Sequence, residues 1–309
     1  MGASGYLWRP GAEAGPGGST RASGPDAPPR SLRADARLEP RDDCDVQPAR
    51  LLAADSWLVD EGRVRALELH RRRFADAVVA VGLEPEARDL DGFWEAAIAT
   101  LPRTGAWFPR VEARLQRDAP QLLLRVREAP ERAETIVLAT HPGPDPRTAP
   151  RTKGPDLEAM LRLRTQAQGR GAGEAVILEP DGAIAEGSTT CLLWWRGDDL
   201  ALPPEEVARV DSVTVRSVLA LASARGVAVR RERAAPEDLE GCEVWALNAL
   251  HGARIVTAWV DGPATAAEPG RLATWRAALD ALRKPLPDPA PATDSDPSAP
   301  ATAPSAGES

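Results

Sequence analysis

A chain of 309 residues, 43% of them hydrophobic, is long enough for two modest domains with buried cores. Its formal charge of −8 lacks the basic excess that a nucleic-acid or anionic-membrane binder needs. Cys44, Cys191 and Cys242 are far apart and form no C-x-x-C pair, so neither a disulfide framework nor a metal site is suggested.

Residues 1–45 are rich in Gly, Pro, Ala, Ser and Arg without an apolar period, which predicts a low-complexity, disordered or loosely attached arm. No basic start followed by an apolar stretch marks a secretory signal. No apolar run approaches the roughly 18 residues of a membrane span, so the chain reads as a soluble cytoplasmic protein. Residues 51–59 predict a strand, 60–62 a turn, and 63–67 a returning strand. Apolar spacing predicts helices over 69–81 and 90–101, with strands over 106–115, 122–126 and 135–140. Residues 141–155 hold Pro142, Pro144, Pro146, Pro150 and Pro155 and read as an exposed linker between domains. A helix over 156–168 follows, then strands over 174–178, 183–188 and 192–195 around a Pro180-Asp181-Gly182 turn. Asp211 or Ser212 caps a helix reaching residue 224. Strands over 227–231, 244–248 and 254–260, and a helix over 271–282, complete the pattern.

Helices and strands mix without strict alternation, which predicts an α+β fold of two domains. The division reads as the arm (1–45), a smaller α/β domain (46–145), a larger α+β domain (146–284) and a disordered tail (285–309).

Of the 38 basic residues only Lys153 and Lys284 are lysines. Arginine keeps its proton at working pH, whereas lysine can surrender it. Lys153, in mid-chain, is therefore a candidate for amine chemistry; Lys284 lies at the edge of the tail.

The run from Glu174 to Trp195, EAVILEPDGAIAEGSTTCLLWW, resembles the class IV aminotransferases, the fold-type IV pyridoxal-phosphate enzymes: a strand, a D-G turn, then E-G-S before a second strand. Four further segments fit that family's order: His70-Arg71-Arg72-Arg73-Phe74, Lys153, Ser212-Val213-Thr214 and Leu247-Asn248-Ala249. The resemblance covers roughly residues 50–262.

It implies pyridoxal 5'-phosphate as cofactor, with Lys153 the amine that carries it and acts in catalysis. It places Glu186 against the pyridine nitrogen, keeping the ring protonated. Arg73 would grip the phosphate as a fork. Ser212, Val213 and Thr214 open a helix whose free N–H groups suit an anion, or serve as an ordinary cap. Asn248 and Ala249 fall on the family's second phosphate loop. His70 and His251 lie inside these motifs and read as structural, with substrate contact the alternative; His141 reads as linker.

Several positions depart from the family pattern. Cys191 stands where Asn is usual, Val215 where Arg occurs, and Ser212 where Gly occurs. The sole tyrosine is Tyr6, in the arm, and Ala54-Asp55-Ser56-Trp57-Leu58-Val59 replaces a tyrosine-bearing element. These changes fall on the substrate side and spare the cofactor side. Within the family they resemble aminodeoxychorismate lyase, which converts 4-amino-4-deoxychorismate to 4-aminobenzoate and pyruvate. An aminotransferase acting on an amino acid and a 2-oxo acid is the alternative, and a non-catalytic binding relative the third reading. The resemblance also implies a homodimer acting on a small amino substrate.

Overall fold

The computed structural model describes residues 4–10, 36–41, 49–83 and 89–288. The N-terminal half contains β1 (Ser4–Arg9), β2 (Arg37–Arg41), β3 (Ala49–Ser56), β4 (Val59–Asp60), β5 (Arg63–Arg65), α1 (Leu67–Ala80), α2 (Leu90–Thr100), β6 (Ala106–Trp107), β7 (Arg110–Gln116) and β8 (Ala119–Val126). Five strands pair antiparallel in the order β2-β1-β8-β7-β3. In α1 the buried positions Leu67, His70, Phe74 and Val78 recur at intervals of three and four residues and form one stripe. That stripe and α2 cover the sheet. Trp57, Phe74, Phe93 and Trp94 fill the space between, with the Trp57 and Trp94 rings 4.9 Å apart.

The C-terminal half contains β9 (Thr135–Thr140), α3 (Leu157–Gly169), β10 (Glu174–Leu178), β11 (Ile184–Gly187), β12 (Cys191–Arg196), β13 (Asp199–Leu202), α4 (Val213–Ala224), β14 (Val229–Arg231), β15 (Val244–Asn248), β16 (Gly252–Val260), α5 (Arg271–Ala281) and β17 (Arg283–Pro285). Eight strands form a mixed sheet in the order β11-β10-β9-β16-β15-β12-β13-β14. β9 runs parallel to both of its neighbours, β10 and β16. β10, β12 and β15 are buried along most of their length, so they read as apolar runs rather than alternating ones. Trp195, Trp245 and Trp275 pack edge to face at 5.3–5.7 Å where α4 and α5 meet this sheet.

The strands and helices expected from periodicity are present, and a third, four-stranded sheet in the order β17-β5-β4-β6 joins the last strand to the N-terminal half. Four expectations change. Part of the arm is ordered sheet: β1 pairs with β8 and β2. Trp8 is buried against Phe93, and its indole N–H donates to Asp89 Oδ2 at 2.6 Å. A six-residue strand is lost in a composition dominated by Gly and Pro, and its partner lies more than a hundred residues downstream. The rest of the arm, and residues 289–309 of the tail, lie outside the described residues. The tail's first residues are also folded. β17 pairs with β5, and the buried Leu286 donates its N–H to Gly62 O at 2.8 Å.

The supposed linker over 141–155 is folded against the protein. His141 donates its N–H to Val176 O at 2.8 Å. The Asp156 carboxylate accepts from Thr148 N, Thr148 Oγ1 and Ala149 N at 2.8–2.9 Å. Finally, β9 belongs to the eight-stranded sheet, so the two sheets divide before residue 135 rather than at 145.

Candidate active site

A cavity of about 370 Å³ opens between the two halves. The N-terminal half contributes Ala54, Ser56, His70, Arg73, Arg110 and Arg127 to its wall. The folded loop before α3, the β11–β12 turn, the start of α4 and the end of β15 supply the rest. All eight residues expected at the cofactor site line this cavity: Arg73, Lys153, Glu186, Ser212, Val213, Thr214, Asn248 and Ala249.

Lys153 is fixed through its backbone. Ala54 donates its N–H to Lys153 O at 2.7 Å. Gly154 adopts φ +137°, and a Cβ there would stand 2.7 Å from Ala54 N, so only glycine lets the two segments approach so closely. The Lys153 amine lines the cavity and makes no hydrogen bond or ion pair among the described residues. Burial, then the positive charge of Arg73, lowers its pKa. A neutral amine is the nucleophilic form, and it is the form a carbonyl cofactor requires.

Glu186 sits at the end of β11, buried, with its carboxyl pushed up to about 7 by burial. Arg147 and the Val210 N–H oppose that rise by bonding to Oε1. Arg147, almost wholly buried, is itself held by Asp145 through Nε and Nη2 at 2.7–3.0 Å. Cys191 Sγ lies 3.9 Å from Glu186 Oε2, and its thiol is pushed up to about 12, chiefly by burial. It is therefore a weak donor to the carboxylate and an inert nucleophile. The turn after Glu186 is locked by the fully buried Glu174, which accepts from Ser188 Oγ, Thr189 N and Thr189 Oγ1. Gly187 has no room for a side chain, since a Cβ would meet Thr190 Oγ1 at 2.4 Å and Glu174 Cγ at 3.0 Å.

Of the two readings of 212–214, the cap is seen directly. Ser212 Oγ accepts from Val215 N at 3.3 Å, capping α4. Val213 and Thr214, at the start of the helix, have N–H groups without helical acceptors. Thr214 Oγ1 accepts from Arg65 Nη2 at 3.3 Å. Val215 is buried among Cys191, Trp195 and Trp245, so it serves the core. Asn248 ends β15, with Oδ1 accepting His251 N at 2.8 Å and Nδ2 donating to Thr189 O at 3.5 Å.

Arg73 is placed differently from the expectation of a phosphate fork. Its two-pronged edge grips Asp55, Nε to Oδ2 and Nη2 to Oδ1, both at 2.7 Å, and Nη1 donates to Asp211 O at 2.8 Å. One N–H on each terminal nitrogen is left for an anion. Asp55 is fully buried and also receives His70 Nδ1 at 2.7 Å. Despite its burial, Arg73 and His70 hold its carboxyl far below the usual range. His70 is thus a buried support for Asp55.

Three site residues escaped sequence reading. Asp55 had a signal: a lone acid in the apolar run Leu51 to Val59. Arg254, which also lines the cavity, had a similar one, a charge between Ala253 and Ile255. Arg147 had none, because nothing in the proline-rich loop says that the loop folds inward.

These residues suit pyridoxal phosphate: an unpartnered, pKa-lowered amine, a buried carboxyl that titrates near neutrality, and a helix start beside an arginine for a phosphate. The comparisons agree. The sequence profile of the class IV aminotransferases matches residues 52–259. No curated protein matches the chain in sequence. Among solved structures the chain resembles the fold IV transaminase CpuTA1 of Curtobacterium pusillum, with TM-score 0.64, 18% identity, 90% of this chain and 97% of that one covered. It also resembles a branched-chain aminotransferase of Thermoproteus uzoniensis solved with norvaline (TM-score 0.67, 15% identity, 81% and 97% covered). A hypothetical aminotransferase of Mycobacterium tuberculosis in its PLP-bound form is similar too (TM-score 0.63, 18% identity, 79% and 95% covered). At such identities these neighbours attest the fold, while the profile match over most of the chain attests the family. The chain belongs to the class IV aminotransferases and is a pyridoxal-phosphate-dependent enzyme.

Proposed function

We propose that this enzyme moves an amino group between an amino acid and a 2-oxo acid, with Lys153 carrying the cofactor and acting as the catalytic base. The observation behind this reading is the Lys153 amine, free of any described partner and lowered in pKa, in a cavity that also holds Glu186. Pyridoxal phosphate, when bound, supplies an aldehyde for amines and an electron sink for the carbon next to nitrogen. The chain's own groups do the rest. Lys153, once released, can take and return the proton at that carbon. Glu186, titrating near 7, can share a proton with a ring nitrogen, and Arg147 holds it in place. The Val213 and Thr214 N–H groups, the Asn248–Ala249 segment and the spare N–H bonds of Arg73 are the phosphate donors in this proposal. A homodimer, implied by the resemblance, and a cytoplasmic location belong to the same reading; among the described residues no helix is long and apolar enough to cross a membrane.

The aminodeoxychorismate lyase reading is favoured by one observation. The cavity holds no tyrosine, since the sole tyrosine, Tyr6, is in β1 and does not line it. A half-reaction separates the two. The holoenzyme is mixed with a panel of L- and D-amino acids, and separately with 4-amino-4-deoxychorismate. The aminotransferase reading expects the visible band to give way to the amine form of the cofactor as a 2-oxo acid appears. The lyase expects pyruvate and 4-aminobenzoate with the band restored. Lys153→Ala should lose the borohydride-fixed band and lower turnover about a thousandfold or more. A wild-type protein that stays colourless with added pyridoxal phosphate sinks both.

A further inference from the structure

The cavity carries a second polar feature that the cofactor reading leaves unused. Arg254, in β16, is 5% exposed and lines the cavity. Its Nε is buried without a hydrogen-bond partner, and no described residue forms an ion pair or hydrogen bond with its guanidinium. The negative charge that acts on it is that of Glu174. It is not a counter-ion in contact: no ion pair joins the two, and the Glu174 oxygens accept from Ser188 and Thr189 instead. Two more donors share this wall. Arg164, on α3, spends Nε on Gly173 O at 3.2 Å. His251 accepts the Ala133 N–H at Nδ1 (3.1 Å), so its ring proton sits on Nε2.

We propose that Arg254, with Arg164 and His251 beside it, forms an anion subsite that receives a carboxylate of the substrate, making this enzyme selective for amino substrates with a second acidic group.

The physical case is the cost of an uncompensated buried cation. A guanidinium taken out of water without a paired acceptor is strongly unfavourable, and a ligand anion removes that penalty only when it binds. Arginine's planar fork matches a carboxylate through two parallel N–H bonds. The neighbours reinforce the field: Arg164 and Arg254 each oppose a charge on His251, which burial and these cations bring down to about 4. His251 is therefore a neutral donor at working pH. Burial and Arg164 likewise draw Arg254 down to about 10, yet it stays charged there.

The inference rests on the pyridoxal-phosphate reading of the cavity, and its test keeps the two apart. Glutarate and butyrate are titrated calorimetrically into the cofactor-loaded full-length enzyme, as wild type and as Arg254→Gln, with the visible band recorded on the same samples. The wild type should bind glutarate at least tenfold more tightly than butyrate. The variant should lose tenfold or more in glutarate affinity, cease to discriminate, and keep its band. Its melting temperature should not fall, since an unpaired buried charge has been removed. Equal glutarate affinity in the two proteins, or no preference for glutarate in the wild type, overturns the subsite. Loss of the band in the variant also overturns it, by assigning Arg254 to the cofactor's phosphate. A wild type without a band defeats the cofactor reading, while the glutarate titration still judges the subsite. Should Arg254→Gln fail to fold, Arg164→Gln on the half-buried face of α3 takes its place, with a severalfold loss expected and an unchanged affinity refuting.

Discussion

Glu186→Gln tests the electrostatics of the site without needing a substrate. Burial raises the Glu186 carboxyl from 4.5 to about 7 in the folded protein. Holding it charged in the fold therefore costs about 3 kcal/mol relative to the unfolded chain. The folded protein keeps this proton to higher pH, so unfolding releases it between about 4.5 and 7, and stability falls as pH rises through that window. Glutamine carries no such proton. Urea unfolding of the cofactor-free proteins, followed by tryptophan fluorescence from pH 4.5 to 8, should show the variant gaining about 3 kcal/mol on the wild type across the window. Cofactor-free protein is used so that no ring nitrogen shares the proton. His70 and His251, both lowered by burial, act in the opposite sense: their contribution is lost as pH falls below the ordinary histidine value of 6.5. They are present in both proteins and cancel in the difference. A difference that stays flat from pH 4.5 to 8 refutes the claim that Glu186 is a desolvated acid.

Two further substitutions probe the frame around the site. Asp55→Asn removes the buried charge that pairs Arg73 and His70; it should cost about 3–5 kcal/mol and weaken pyridoxal-phosphate binding, read by denaturant unfolding and by titration of the visible band. An unchanged affinity would show that the remaining contacts of Arg73, such as Asp211 O, suffice to aim it. Trp8→Ala, in the strand that composition assigned to a loose arm, should destabilise by about 3–5 kcal/mol through the emptied core and the lost bond to Asp89. A loss below about 0.5 kcal/mol would mean that β1 is not part of the cooperative unit.

Much of this enzyme was legible from the sequence because its signals are local. The 3.6-residue spacing in α1 and the apolar runs at 174–178 and 244–248 each follow from the backbone's own period. Lys153 stood out because arginine occupies almost every other basic position, and the E-G-S turn after β11 is built from neighbours in the chain. What the sequence left open depends on partners far apart along it. β1 is a strand only because 37–41 and 123–126 pair with it. Arg147 is a site residue only because Asp156 and Glu186 draw its loop inward. The fork of Arg73 closes on Asp55, leaving one N–H on each terminal nitrogen for other partners, because β3 and α1 bring the two together. Whether a charge such as Arg254 meets water, a partner or an open cavity is decided by desolvation, and desolvation exists only once the chain has folded.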